Sequence, residues 1–170
     1  MNKVKVVLDA DVIIHFAKGG YLNMLPSILK EYDHIVLDVV YNEIQGELKA
    51  QLDKQMIYLK NIELVSFEAS GDMMYEYFKL LETKGSGESA CLAYCRFTNN
   101  VIGSSNLKDT ADYCKRHRID FLTTVDFLYY AIKRGLMSCD EANRFVDDVR
   151  NKGSVLPNFD FFTYIPHVLL

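Results

Sequence analysis

Four stretches of the chain place polar or acidic residues where the surrounding pattern is apolar or about to become so. They are "VKVVLDADVIIHF" with Asp9 and Asp11, "LDVVYNEIQGEL" with Glu43, "GSGESACLAYC" with Glu88, and "VIGSSNLKDTADYC" with Asn106 and Asp109. Asp9 ends an apolar run of strand type, and in an open parallel sheet that end is the edge at which ligands bind. A turn or cap residue is the competing reading of Asp9, and Asp11 suits the cap of a helix starting at 12. Glu43 follows Val39 and Val40 by four and three residues, so at helical spacing it shares their apolar face. Favourable charge near a helix N-terminus would also explain it. Glu88 precedes Cys91, Leu92 and Cys95 by three, four and seven residues, and so heads an apolar stripe on which an unpaired carboxylate is costly. The alternative makes it a first-turn residue with Ser86 as cap. Asn106 with Asp109 three residues on is close to a capping box, and taken singly the cap is the better reading of Asn106.

Taken together, the four places lie just after a strand end or in the first turns of a helix, so all can face one edge of a sheet. Carboxylates that converge repel each other and take up protons unless a divalent cation keeps them ionised. Oxygen ligands with no Cys or His cluster point to magnesium or manganese rather than zinc. Such a centre binds phosphate oxygens and activates water.

The elements that must position these residues follow from the periods. Short apolar runs at 4–8, 34–37, 62–65, 100–103 and 119–124 alternate with segments of helical period. The spacing predicts helices near 12–18, 22–31, 39–60, 71–83, 87–98, 107–117, 125–134 and 139–151, with Pro26 as a break or first-turn residue. Strands alternating with helices predict an α/β fold, a three-layer α/β/α sandwich around a central parallel sheet. "TKGSGES" is the strongest internal loop signal, and there is no repeat or linker. The expected division is a domain over 1–150 and an aromatic tail over 151–170 that packs on the domain or on a partner.

Composition agrees with an ordered globular chain: 170 residues, 49% hydrophobic, 25% charged, 9 Gly and 3 Pro. The first apolar run breaks at Asp9, too early for a secretory signal, and no stretch has the ~18 apolar residues of a membrane span. The four cysteines lack paired zinc spacings and read as reduced core residues, so a cytoplasmic location with no membrane partner is expected. With a net charge of −4, nucleic-acid contact must come from a local basic patch. "CKRHR" at 114–118 is one candidate, and a solvated helix end is the better reading of it alone. The aromatic clusters "MMYEYF" and "DFLYYAI" read as packing rather than base-stacking platforms.

"LDADVIIHF", "VVYNEI", "GSGESACLAY" and "SSNLKD", in this order and over roughly 4–136, resemble a PIN domain, the fold of many metal-dependent ribonucleases, including toxins of prokaryotic toxin-antitoxin pairs. The resemblance extends to "RHRIDFLTTVDFLYYAIKRGLMS", which is similar to that family's last strand and helix. It implies a PIN-like three-layer sheet, an acidic pocket for Mg2+ or Mn2+, hydrolysis of single-stranded RNA, a homodimer and an antitoxin partner. Asp9, Glu43 and Glu88 match the first three metal-binding acids. Asn106 stands where an acid is common, with Asp109 three residues on, and Asp11 where a small polar residue supports the first acid. On this reading Asp9, Glu88 and Asp109 hold the ion, Glu43 binds it or orients the water, and Lys108, Lys115 and Arg116 contact phosphates.

Two other classes compete. "LDADVI" also resembles a haloacid-dehalogenase-type phosphatase, with Asp9 as nucleophile and Asp11 as general acid, but Glu43 and Glu88 then have no task. The other is a PIN-like binding module without activity, for which Asn106 is the best support.

Overall fold

The structure, a computed structural model, describes residues 3–170, apart from the side chains of Leu107 and Asp109. Five parallel strands form one sheet: β1 (Lys5–Leu8), β2 (Asp33–Leu37), β3 (Glu63–Val65), β4 (Val101–Gly103) and β5 (Phe121–Leu122). Their spatial order is β3-β2-β1-β4-β5, with Val7 opposite Ile35 on one side and Ile102 on the other. Val6, Val7 and Leu8 have no exposed surface, which is why this strand reads as a continuous apolar run rather than an alternating one.

Helices cover both faces and complete the three-layer α/β/α sandwich expected. They are α1 (Ala10–Lys18), α2 (Leu25–Ile28), α3 (Asp38–Glu43), α4 (Gly46–Asp53), α5 (Gly71–Leu81), α6 (Ser86–Thr98), α7 (Leu107–His117), α8 (Thr124–Lys133) and α9 (Cys139–Asn151). α1 packs with α8 and α9, while α6 packs with α5 and α7. No helix among the described residues is long and apolar enough to cross a membrane.

Three elements differ from the pattern. The long helix expected over 39–60 is three pieces, because Ile44 and Gln45 are extended and Gly46 takes φ +62°, a left-handed backbone that suits glycine. After α4 the chain widens into a π-helical segment, Lys54–Leu59. The helix expected over 22–31 shrinks to the turn Leu25–Ile28, with Pro26 at its start. β5 keeps two residues because Thr123 leaves the strand to cap α8, its hydroxyl accepting from Asp126 N, 3.2 Å. Cys91, Cys95 and Cys114 are buried free thiols, whereas Cys139 opens α9 and is only half-buried.

The tail lies against α8. Buried Asp126 accepts from the Tyr164 hydroxyl (2.9 Å) and the His167 main chain (2.9 Å), and its other oxygen faces His167 Nδ1 at 2.8 Å. Tyr130 donates to the Val168 carbonyl at 2.6 Å. Around these anchors Phe162, Ile165 and Leu169 stay exposed.

Gly19 closes α1 against the fully buried Phe145 ring, which also stacks near Phe16 and Tyr21. A Cβ built on Gly19 would stand 2.2 Å from Phe145 Cδ2. Gly19→Ala is therefore expected to force the ring off its rotamer, at about 1–3 kcal/mol, and to lower the Tm by about 2–12 °C. Thermal unfolding checks this, and Phe145→Leu in the same chain should recover part of the loss because the two sites couple.

Candidate active site

The main chain carries Asp9 one step past β1, where its N–H donates to the Gly103 carbonyl of β4 at 2.8 Å. This is the point where the sheet order changes direction: the chain moves from β1 to β2 on one side and returns through β4 on the other. Crevices at the carboxyl ends of strands form at such points. Asp9 does cap α1, with Oδ1 accepting from Ala10 N at 2.8 Å, but Oδ2 turns to the Ser104 hydroxyl at 3.2 Å. Burial pushes its carboxyl up to about 7, helped by the charges of Asp11 and Glu88 and opposed by the Ala10 amide and Ser104.

Asp11 is not a cap, because α1 starts earlier and places it in the first turn. Its Oδ2 accepts from Ser105 N at 2.8 Å and its Oδ1 from Val12 N at 2.6 Å. Burial again raises the carboxyl, to about 6, against the Ser105 and Val12 amides and with the Glu88 charge adding to the rise.

Glu88 stands in the first turn of α6, whose cap position is Gly85 with no side-chain cap bond, so Ser86 does not cap. Glu88 Oε1 accepts from the Thr110 hydroxyl at 3.0 Å, and Lys84 Nζ lies 3.8 Å away. Asn106 holds the cap position of α7 but makes no cap bond with its side chain. Its amide instead crosses to Glu88 at 3.4 and 3.5 Å. The side chain of Asp109 lies outside the described residues.

Glu43 is the last residue of α3, not an early residue of a long helix. Its Oε1 accepts from the Ser86 hydroxyl (2.7 Å) and Gly87 N (2.8 Å), so the charge sits at the positive end of α6, the helix that carries Glu88. The approach depends on Gly87, where an added Cβ would meet Glu43 Oε2 at 2.5 Å. Cys91, further along α6, is fully buried. Burial pushes its thiol up, and Asp9, Asp11 and Glu43 add to the rise, so all three carboxylates lie within electrostatic reach of it.

A chain of hydroxyls absent from the sequence reading fixes the floor. Ser105 Oγ donates to Thr124 Oγ1 (2.8 Å) and accepts from Thr124 N (2.9 Å), and His15 Nδ1 meets the same Thr124 hydroxyl at 2.9 Å. Burial lowers His15 to about 4, so it is neutral and structural here. These contacts pin the loop whose Ser105 amide holds Asp11. The only sequence signal for them is the pair of serines after β4.

As the side chains lie, no group of three or more His, Cys, Asp or Glu among the described residues is poised to share one metal ion. The donor chemistry nonetheless fits a hard divalent cation. Asp9 and Asp11 resist ionisation because they are buried and share the field of Glu88, and the groups that could ligate there are mainly carboxylate and hydroxyl oxygens. Lys108, Lys115 and Arg116 are exposed along α7, which starts beside this edge. Lys79, Lys84, Arg96 and Arg116 line a groove of about 690 Å3 between α5, α6 and α7, interspersed with Asp72, Glu82 and Asp112. Tyr75 and Phe78 of "MMYEYF" are exposed rather than packed.

Comparison with protein-family models, with curated proteins and with solved structures finds no match.

Proposed function

We propose that the chain is a metal-dependent ribonuclease that hydrolyses phosphodiester bonds of single-stranded RNA, with Asp9 and its neighbours as the metal site. The observation that carries the reading is the crowding of Asp9, Asp11 and Glu88, from segments far apart in sequence, at the carboxyl edge where β1 and β4 part. Desolvated acids in each other's field weaken the fold when ionised, and a bound cation relieves that repulsion.

Asp9, Asp11 and Glu88 would hold Mg2+ or Mn2+, with Asp109 as a further candidate from its place in the sequence. When bound, the ion supplies an activated water and charge stabilisation at the phosphoryl oxygens. Asn106 and Thr110 hold the Glu88 carboxylate, Ser104 and Ser105 orient Asp9 and Asp11, and Glu43 fixes the start of α6. Lys108, Lys115 and Arg116 supply phosphate contacts that position RNA without reading its bases. Through the resemblance to PIN-domain toxins, a second copy of the chain and a cytoplasmic antitoxin are the protein partners to seek.

The test is cleavage of a mixed single-stranded RNA with Mg2+, Mn2+ or chelator, beside Glu88→Gln. Metal-dependent cutting that falls roughly 1000-fold in the variant supports the reading, since an ion contributes several kcal/mol at the transition state. No cutting in either metal, with no Mn2+ binding by calorimetry, overturns it; hydrolysis of a phosphate monoester through Asp9 would favour the phosphatase.

Gly87→Ala separates position from ligation. The added methyl expels the Glu43 carboxylate, while better helix propensity offsets the lost bond by about 1 kcal/mol. Cleavage is expected to fall about 10–100-fold, as for loss of an orienting contact, with little change in Tm. Unchanged kinetics would remove Glu43 from the site.

A further inference from the structure

A second cavity, of about 470 Å3, opens at the opposite edge of the sheet, between the starts of β2 and β3. Its wall contains two of the three buried polar side-chain atoms that have no hydrogen-bond partner among the described residues, His34 Nε2 and Asn61 Oδ1. Such orphans are costly, so two in one wall call for an explanation.

Asn61 Oδ1 is an acceptor. Burial lowers His34 to about 4, so its ring is neutral and carries one N–H. With that hydrogen on Nδ1, the unpartnered Nε2 is an acceptor as well. Asn61 donates one amide hydrogen to Gln55 Oε1 at 3.2 Å, while its Oδ1 receives no donor. At the rim, Asp33 is paired with Lys3 and Glu63 with Lys5, whereas Lys30 and Lys60 close no salt bridge among the described residues, Lys30 feeling only the more distant charge of Glu31. Tyr32 adds an aromatic face to the same lining. The cavity thus asks for hydrogen-bond donors at its wall, an anion at its rim and a flat group between.

We propose that this cavity binds a nucleoside monophosphate, with base or ribose N–H and O–H groups donating to His34 and Asn61 and the phosphate between Lys30 and Lys60. Its volume suits a ligand of that size. Less than 1 Å2 of either acceptor is exposed, so binding includes a small opening of the wall around them. The site is separate from the acidic edge and does not depend on the nuclease reading.

The experiment is titration of the metal-free, chelator-treated chain with the four ribonucleoside 5′-monophosphates, following the His34 ring nitrogens by NMR. Chelator keeps phosphate from reporting on a metal at Asp9. At least one nucleotide is expected to saturate with a Kd below about 1 mM and to move the Nε2 resonance. Lys30→Ala with Lys60→Ala, both exposed positions that do not threaten the fold, should weaken that binding at least tenfold, and the matching nucleoside without phosphate should bind as weakly to the parent chain. No movement of the His34 resonance with any nucleotide, a long-lived water as the sole partner of Nε2, or binding unaffected by the two lysine changes would each overturn the proposal.

Discussion

Asp9→Asn is expected to abolish RNA cleavage and, without metal, to make the protein more stable above neutral pH than the parent chain. The second effect follows from the first carboxyl's surroundings. In the unfolded chain Asp9 ionises near 3.8, whereas in the folded chain burial and the charges of Asp11 and Glu88 hold the proton until about 7. Between those values the folded state binds more protons than the unfolded one, so stability falls as pH rises through the window and the full penalty stands above it. The slope is about 1.4 kcal/mol per pH unit for an independent group. Asp11, raised to about 6, acts in the same direction, but the two share part of their repulsion and their effects do not add. Asparagine has no charge to desolvate, and its amide can still serve Ala10 and Ser104. Thermal unfolding of the parent chain in chelator should therefore show the Tm falling from pH 4 to pH 8, with Mn2+ restoring it at pH 8, while Asp9→Asn shows a flatter profile and little response to Mn2+. Parallel profiles for the two proteins would mean that the raised acid is not Asp9.

The largest loss of stability is expected from Asp126→Ala. One fully buried carboxylate accepts from Thr123 N (2.7 Å), Thr123 Oγ1 (2.8 Å), Tyr164, His167 N and His167 Nδ1, closing the cap of α8 and fastening the tail with the same two oxygens. Alanine strands these donors in a buried site, at about 3–5 kcal/mol, which lowers the Tm by roughly 6–20 °C. Limited proteolysis supplies the second readout. Cleavage at Phe159, Phe161 or Tyr164 should precede any cut in the sheet, and a tail still protected in the variant would show that Tyr130 and the aromatic contacts hold it alone.

The sheet and most helices were legible because parallel strands buried on two faces leave unbroken apolar runs and helices leave stripes. Those signals are local, and the errors arose where a distant contact decides. Nothing near residue 44 says that the helix must stop except Gly46, and only the folded chain shows why: the break lets Glu43 reach Gly87. Asn106 has the sequence of a cap, yet Glu88, held across from it by α6, takes its amide instead. Asp9 and Glu88 were readable as acids at the head of apolar patterns, and the structure brings them into each other's field. Asp11 looked auxiliary because its partner, the Ser105 amide, lies far along the chain. The hydroxyls of Ser104, Ser105, Thr110 and Thr124 give no periodic signal, so their part in the site could not be read from spacing.

The sheet order also sets a schedule for synthesis. β1 pairs with β2 on one side and β4 on the other, so a ribosome that has released β1, β2 and β3 holds a half-sheet whose most apolar strand is an open edge. That edge stays bare until Val101–Gly103 emerges, about 2–8 s later at elongation rates of about 5–20 residues per second. An unpaired edge of Val6, Val7 and Leu8 is a template for strands of neighbouring chains. Slowing translation between β3 and β4 should therefore lower soluble yield more than slowing it after β4.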